Sequence, residues 1–498
     1  MSYRTHPSEH IAHNVDKADF LRMLGEYLKP DSLLSDPEDL RPYDCDALSV
    51  YKSLPWVVAL PETVGQAQAV LRLCHQHGVP VVARGAGTGL SGGALPADNG
   101  VLLSLAKFNR ILHIDPANRV ARVQPGVRNA AVSEAALAYG LYYAPDPSSQ
   151  IACTIGGNIA ENSGGVHCLK YGLTVHNLLG LKLLTVDGEL IELGSGGMDA
   201  AGYDLLALVT GSEGLLGVIV EATLRLLPAP TTARALLAAF GSVEQAGAGV
   251  AEIIGAGLVP AGLEMMDNLI IRAAEDFVHA GYPVDAAAII LCEMDGMAEQ
   301  VDADLEQAQN ILLRMGATEV RLAKTEAERK KFWAGRKSAF PAAGRISPDY
   351  YCMDGTIPRR SLAEVLHRIA VLSASYGIDV ANVFHAGDGN LHPLLLYDAS
   401  QPGQLERAEE VGGKILELCV AAGGTVTGEH GVGMEKINQM CIQFSPAELA
   451  QFHAVKAAFD PRGLLNPGKA VPSLHRCAEF GAMHIHRGIL SFPELERY

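Results

Sequence analysis

Four residues in the C-terminal half, His385, His392, Glu429 and His430, have the types and spacing to hold a metal ion and move a proton. The run from Ile378 to Phe384 reads as a strand and Leu391 to Tyr397 as another. Between them, Asp388-Gly389 is the strongest short hairpin signal, because a type I′ turn needs positive φ at both central residues. A turn centred on that pair places His385 directly opposite His392 on one face, with Cβ atoms about 4.5–5.5 Å apart. Two imidazoles so placed can share one ion. The third ligand comes from Gly428-Glu429-His430-Gly431, after a helix-like stretch (Glu406 to Ala422), a Gly423-Gly424 stop and a short strand Thr425-Val426-Thr427. Adjacent side chains in extended backbone point to opposite sides. Glu429 can therefore complete a His/His/Glu set, which suits zinc, or else manganese or iron, and leaves a position open for substrate. His430, flanked by glycines that let a substrate come close, is then free to act as a base. The bland alternative, two histidines on a hairpin and a salt-bridged Glu-His, has to obtain the register and the glycines by accident.

A cation for a substrate carboxylate is expected at Arg336, in Trp333-Ala334-Gly335-Arg336-Lys337-Ser338, because a guanidinium fork matches a carboxylate bidentately. Lys337 is its rival.

Composition sets the frame. At 498 residues two or three domains are expected. With 48% hydrophobic and 19% charged residues, the chain can build large cores. A formal charge of −17 without a basic run makes nucleic acid a poor partner. No window approaches 18 apolar residues without a charge, so no membrane span is expected. The polar N-terminus lacks a hydrophobic signal core. Nine cysteines without a Cys-x-x-Cys pair argue against a disulfide scaffold and against an iron–sulfur ligand set. A soluble, cytoplasmic protein is the expectation, with attachment at the inner membrane only through a complex.

Glycine loops form the second constellation. A helical pattern from Val64 to Gly78 and a strand from Val79 to Ala83 lead into Arg84-Gly85-Ala86-Gly87-Thr88-Gly89-Leu90-Ser91-Gly92-Gly93. Gly87 to Gly92 matches G-x-G-x-x-G, yet a Rossmann unit needs a helix straight after its glycines. Here Pro96 and Asp98-Asn99-Gly100 follow, then the strand Val101 to Leu105. Phosphates would instead be held by loop N–H groups and Arg84. Two more such segments run from Thr154 to Gly165, after Pro145-Asp146-Pro147, and from Thr210 to Ile219. One alone would be tight turns; three, read as loops between short strands, imply a long flat ligand lying against backbone.

Arg84 to Gly93, Pro145 to Gly165 and Gly211 to Gly217 resemble the FAD-binding domain of vanillyl-alcohol-oxidase-type flavoenzymes. Gly387-Asp388-Gly389-Asn390-Leu391-His392, Gly428 to Gly431 and Leu465-Asn466-Pro467-Gly468-Lys469 resemble its branch of FAD-linked 2-hydroxy-acid dehydrogenases. The likeness covers nearly the whole chain. It implies an α+β protein: a helical segment over residues 1–50, a two-subdomain FAD domain over 51–230, and an antiparallel-sheet cap with helices and the metal site over 231–455. A return segment (456–474) and a tail (475–498) complete it. It also implies that the flavin is bordered by Arg84, Gly85, Gly87, Thr88, Gly89, Ser91, Gly92, Pro145, Asp146, Thr154, Gly156, Gly157, Asn158, Ser163, Gly164, Glu213, Gly217, Ile219, Asn466 and Lys469. No histidine lies in Arg84 to Gly93, so FAD is expected without a covalent link.

The implied reaction takes the hydroxyl proton of a 2-hydroxy acid to His430 and its Cα hydride to flavin N5. A base alone contributes about 10²–10⁴-fold, whereas a divalent ion lowers the pKa of bound water from about 15.7 to about 7, so the metal has the larger effect. Relatives that oxidise 2-hydroxyglutarate carry polar or cationic residues where this chain has Phe340 and Cys352, which favours a small monocarboxylate such as glycolate or D-lactate. The resemblance further implies companion subunits, one flavin-binding-like and one carrying iron–sulfur. The apolar tail, with Phe480, Met483, Ile485, Ile489, Leu490 and Phe492, is a candidate to dock them, the alternative being that it packs on its own FAD domain. A stand-alone dehydrogenase, a metal-dependent hydrolase whose glycines are only turns, and a non-catalytic electron relay are the competing classes. His475, Cys477, His484 and His486 lack turn chemistry to bring them together as a metal site.

Overall fold

The structure is a computed structural model that describes residues 14–195 and 201–473. The tail and its histidines lie outside the described residues. The chain divides into two compact units: one comprises the residues up to Ser163, Leu173–Pro228 and His430 onward, the other Gly164–Gly172 and Ala229–Glu429. Where the sequence places the return to the first unit at 456, the chain passes back into it at His430.

The first unit holds two sheets. Val57–Ala59, Val101–Ser104 and Val81–Arg84 lie parallel, with Leu33–Leu34 antiparallel at the edge. The helix Val64–His77 makes the crossover: Thr63 caps it through Gln66 N–H, and Gly78 ends it at φ 73°. Its Ala67, Val70, Leu71 and Cys74 recur at helical spacing and are buried, which gives the stripe that packs into the core with Val57, Val81 and Val101. Leu464 and Asn466 bracket Val81 by backbone hydrogen bonds of 2.8 Å each, so the C-terminal segment extends alongside the strand that feeds the first glycine loop. The second sheet is antiparallel, in the order Ile111–Asp115, Val120–Val123, Val218–Arg225, Leu178–Leu184, Leu190–Gly194.

The second unit is built on a seven-stranded antiparallel sheet, ordered Ala317–Leu322, Thr232–Phe240, Ala288–Gly296, Gly262–Asp267, Val380–Phe384, Pro393–Tyr397, Asp349–Cys352. Gly164–Gly172 is tied to it by side chains: Lys170 and the Tyr171 hydroxyl both bind the Asp295 carboxylate, and His167 Nε2 lies 3.8 Å from Glu293. Helices and antiparallel sheets together make the α+β architecture expected. Among the described residues, no helix is long and apolar enough to cross a membrane.

Three local expectations are corrected. Asp388-Gly389 is not a type I′ turn: Gly389 takes φ +76° and Asp388 does not take a positive φ. His385 instead bridges Asn390 across a loop closed by Asp388 N–H to His385 O (3.2 Å), and Asn382 pairs with Pro393. The register is thus displaced by two residues. The second glycine segment is not a loop between strands, because Ile155–Glu161 is a helix. Thr425-Val426-Thr427 forms no strand, only a bridge from Thr425 to Thr356.

Candidate active site

The three candidate metal ligands converge despite the displaced register. A two-residue slip keeps every side chain on its own face of the sheet, so His392 becomes the diagonal rather than the direct neighbour of His385. The two rings meet edge to face with centroids 5.2 Å apart. Glu429 Oε1 lies 3.3 Å from Nε2 of each imidazole. The ligand atoms of His385, His392 and Glu429 all fall within 4.8 Å of one another. Both histidines are buried and Glu429 is half-buried.

A residue that went unread in the sequence orients this set. Met265 pairs with Phe384, and the next step of that antiparallel register puts Glu264 opposite His385. Glu264 Oε1 accepts from His385 Nδ1 at 2.7 Å, which leaves Nε2 facing Glu429. Its other oxygen accepts from Arg336 Nε at 2.7 Å. Burial opposes the charge on Glu264, but His385 and Arg336 outweigh it and hold the carboxyl below its usual range. Burial likewise pushes against a proton on His385, while Glu264 and Glu429 raise its affinity well above the ordinary imidazole value. Burial drives Asp388 up to about 7. Carboxylates crowding a pair of buried imidazoles make a place that calls for a cation, and the donor set fits a divalent ion. The signal in the sequence was a lone glutamate in the apolar strand Gly262–Asp267.

Arg336 stands on the helix Glu326–Lys337 and is fully buried. Its Nε edge is taken by Glu264, while Nη2, 2.7 Å from the same oxygen, has no aligned hydrogen-bond acceptor among the described residues. Phe340 stacks edge-on against His392, and Cys352 is buried.

In the first unit the glycine loops pack on each other. A Cβ on Gly85 would collide with Thr154 Oγ1. Ser91 Oγ and Thr154 Oγ1 are buried with no hydrogen-bond partner among the described residues, as expected of donors that await a polar ligand. Gly87 (φ +69°) and Gly92 (φ +75°) take conformations that side chains resist. Several expected flavin residues also brace this cradle. Arg84 donates to Tyr43 O at 3.2 Å, and its guanidinium fills the space beside Gly87. Asn466 Nδ2 donates to Gly93 O (3.0 Å) and Glu213 O (2.6 Å), and Lys469 Nζ to Asn466 Oδ1 at 2.6 Å. Burial pulls Lys469 down to about 7. Asn129, absent from the expected set, links Asn158 Oδ1 to Pro145 O at 3.0 Å each. Glu213 holds the segment after His430, accepting from Val432 and Gly433 N–H at 2.7 Å each.

A glycine-loop cradle in one unit and a carboxylate-oriented His/His/Glu set in the other define a flavin-linked oxidoreductase. Comparison with known proteins agrees. A family model described as FAD binding domain matches residues 55–194, and one described as FAD linked oxidases, C-terminal domain, matches residues 229–470. The chain is 64% identical over 97% of both chains to the glycolate oxidase subunit GlcD of Escherichia coli (strain K12). It is 40% identical to the subunit of the same name from Bacillus subtilis (strain 168), over 86% of this chain and 91% of that one. It is 33% identical to a D-lactate dehydrogenase of Anaerostipes hadrus, over 89% and 95%. Among solved structures, 4-ethylphenol oxidase from Gulosibacter chungangensis shares the fold at a TM-score of 0.79 and 18% identity, over 94% of this chain and 99% of that one. The chain belongs to the FAD-linked oxidases of the vanillyl-alcohol-oxidase type. It is an FAD-binding enzyme.

Proposed function

We propose that this chain oxidises glycolate to glyoxylate, with one divalent ion held by His385, His392 and Glu429. The observation that carries the reading is the convergence of those three side chains, each histidine nitrogen 3.3 Å from one Glu429 oxygen, in a chain so similar to proteins named glycolate oxidase subunit. Bound FAD supplies a two-electron acceptor. The divalent ion supplies positive charge that acidifies a hydroxyl group.

The chain's own residues do the rest. Glu264 keeps the proton on His385 Nδ1, so that Nε2 offers its lone pair to the site. Arg336, anchored on Glu264 through Nε and Nη2, is the cation that meets the substrate carboxylate and fixes which face of Cα is presented. His430, the residue after Glu429, takes the hydroxyl proton at an imidazole nitrogen. Phe340 fills the space beside His392 with an apolar ring, which disfavours a substrate with a second carboxylate.

The acceptor of the electrons is proposed to be companion subunits, one flavin-binding-like and one with iron–sulfur. The proteins matched at 64% and 40% identity are named as subunits. A second reading, D-lactate oxidation by a stand-alone enzyme, draws on the relatives named D-lactate dehydrogenase.

Anaerobic bleaching of the purified flavoprotein tests the reaction. Glycolate is expected to bleach the flavin band fastest, D-lactate more slowly and L-lactate least. A flavin that no 2-hydroxy acid reduces would overturn the proposal, and faster reduction by D-lactate would favour the second reading.

A further inference from the structure

Asp354 follows the strand Asp349–Cys352, beside a second short strand, Gly355–Thr356, that has neighbours on both sides. Gly355 pairs with Leu391 and Thr356 with Asn390, while Thr356 also bridges Thr425. Continued past Gly355, the first register puts Asp354 opposite His392 and the second puts it opposite Thr427. The contacts follow. Asp354 Oδ1 lies 3.5 Å from His392 Nε2. Oδ2 accepts from Thr427 Oγ1 at 2.6 Å and from Gly428 N–H at 3.0 Å. Glu429 N–H is 3.2 Å from both oxygens.

The side chain is fully buried, a costly place for a carboxylate unless donors converge on it. Here the donors come from consecutive residues that end at Glu429. The stretch from Val426 to Glu429 belongs to no helix or strand, so the carboxylate supplies order that a backbone ladder would supply elsewhere.

We propose that Asp354 is a positioning residue for Glu429, fixing its backbone so that its carboxylate meets both imidazoles and thereby setting metal affinity. This rests on the reading of His385, His392 and Glu429 as the ligands. In this role Asp354 acts through Glu429: Oδ2 holds a hydroxyl and an amide, while Oδ1 shares the Glu429 N–H and faces His392 Nε2 at 3.5 Å, so ligation by Oδ1 is the outcome that a double-mutant cycle separates from positioning.

Zinc titration of the full-length flavoprotein against a competing chelator, combined as a double-mutant cycle, tests the role. Asp354→Asn is expected to weaken zinc binding about 10- to 100-fold with FAD content retained. In a Glu429→Gln background the same change is expected to add nothing, since its route is already cut. Zinc affinity unchanged in Asp354→Asn would overturn the proposal. So would a full additional loss in the Glu429→Gln background, which would make Asp354 a ligand. Should Asp354→Asn not fold, Thr427→Val removes a single donor and is expected to weaken zinc about 2- to 10-fold; no change there overturns the role equally. Wild-type protein that takes up no zinc overturns the metal reading itself, and this role with it.

Discussion

The ring of Phe340 meets the imidazole of His392 edge-on, with centroids 6.1 Å apart. A quadrupole-matched contact of this kind holds both rings, and it places an apolar wall beside a proposed metal ligand. Phe340→Ala is expected to raise kcat/KM for longer 2-hydroxy acids relative to glycolate by about 10-fold, the scale of a hydrophobic pocket that gains room. Steady-state kinetics on a chain-length series checks this. An unchanged ratio would put size selection elsewhere.

Metal content tests the triad directly. Wild-type protein is expected to carry about one divalent ion per chain, and His392→Ala to lose it while keeping its flavin. Elemental analysis of both proteins is the measurement. Equal, sub-stoichiometric metal in the two would dismiss the site.

His430→Asn is expected to retain FAD and metal but to slow flavin reduction by about 10²–10⁴-fold, the usual contribution of a general base. Anaerobic single-turnover absorbance reads it. Unimpaired bleaching would reassign the base.

Arg336→Lys keeps a charge beside Glu264 but replaces a fork by a point donor. KM for glycolate is expected to rise about 10- to 100-fold, the worth of a charge-assisted hydrogen bond of about 1.5–3 kcal/mol. An unchanged KM would move the carboxylate site to Lys337 or elsewhere.

Asp267 gives a pH signature of stability. Burial raises its pKa to about 6, even though it accepts from Asn382 N–H at 2.7 Å. The unfolded value is about 3.9. The folded chain therefore holds an extra proton between these values, and stability from this group falls as pH rises from about 4 to 6 and then levels. Asp267→Asn is expected to lack that slope in urea unfolding at pH 4.5, 5.5 and 7. Parallel profiles for the two proteins would refute it.

Much of this was legible because it is local. The helix Val64–His77 carries its cap, its apolar stripe and its closing glycine within one stretch. His385 and His392 were placed on a common face although the turn between them was misread, since a slip of two preserves sidedness. The type I′ reading failed because Gly387 N–H is drawn to Leu263 O at 2.9 Å, a tertiary bond that no dipeptide preference contains. Glu264 and Asp354 stayed hidden for the same reason. Each is a single carboxylate that reaches the site through strand register, from residues 121 and 75 positions away in the chain. Arg84 and Glu213 lie where glycine-rich flavin loops draw attention, yet their side chains turn to Tyr43 and to the Val432–Gly433 amides.

The short stretch Gly164–Gly172 has a consequence for how such a chain can be rearranged. It belongs with a unit whose other residues begin at Ala229, and its Lys170 and Tyr171 hold Asp295. A recombinant joined at a single crossover near 229 would take Asp295 from one parent and its partners from the other. Any change at Asp295 has to be matched more than a hundred residues upstream. The second unit is therefore not a cassette: exchanging it between relatives takes two grafts, and a library built on one junction would recover only parents that already agree at both places.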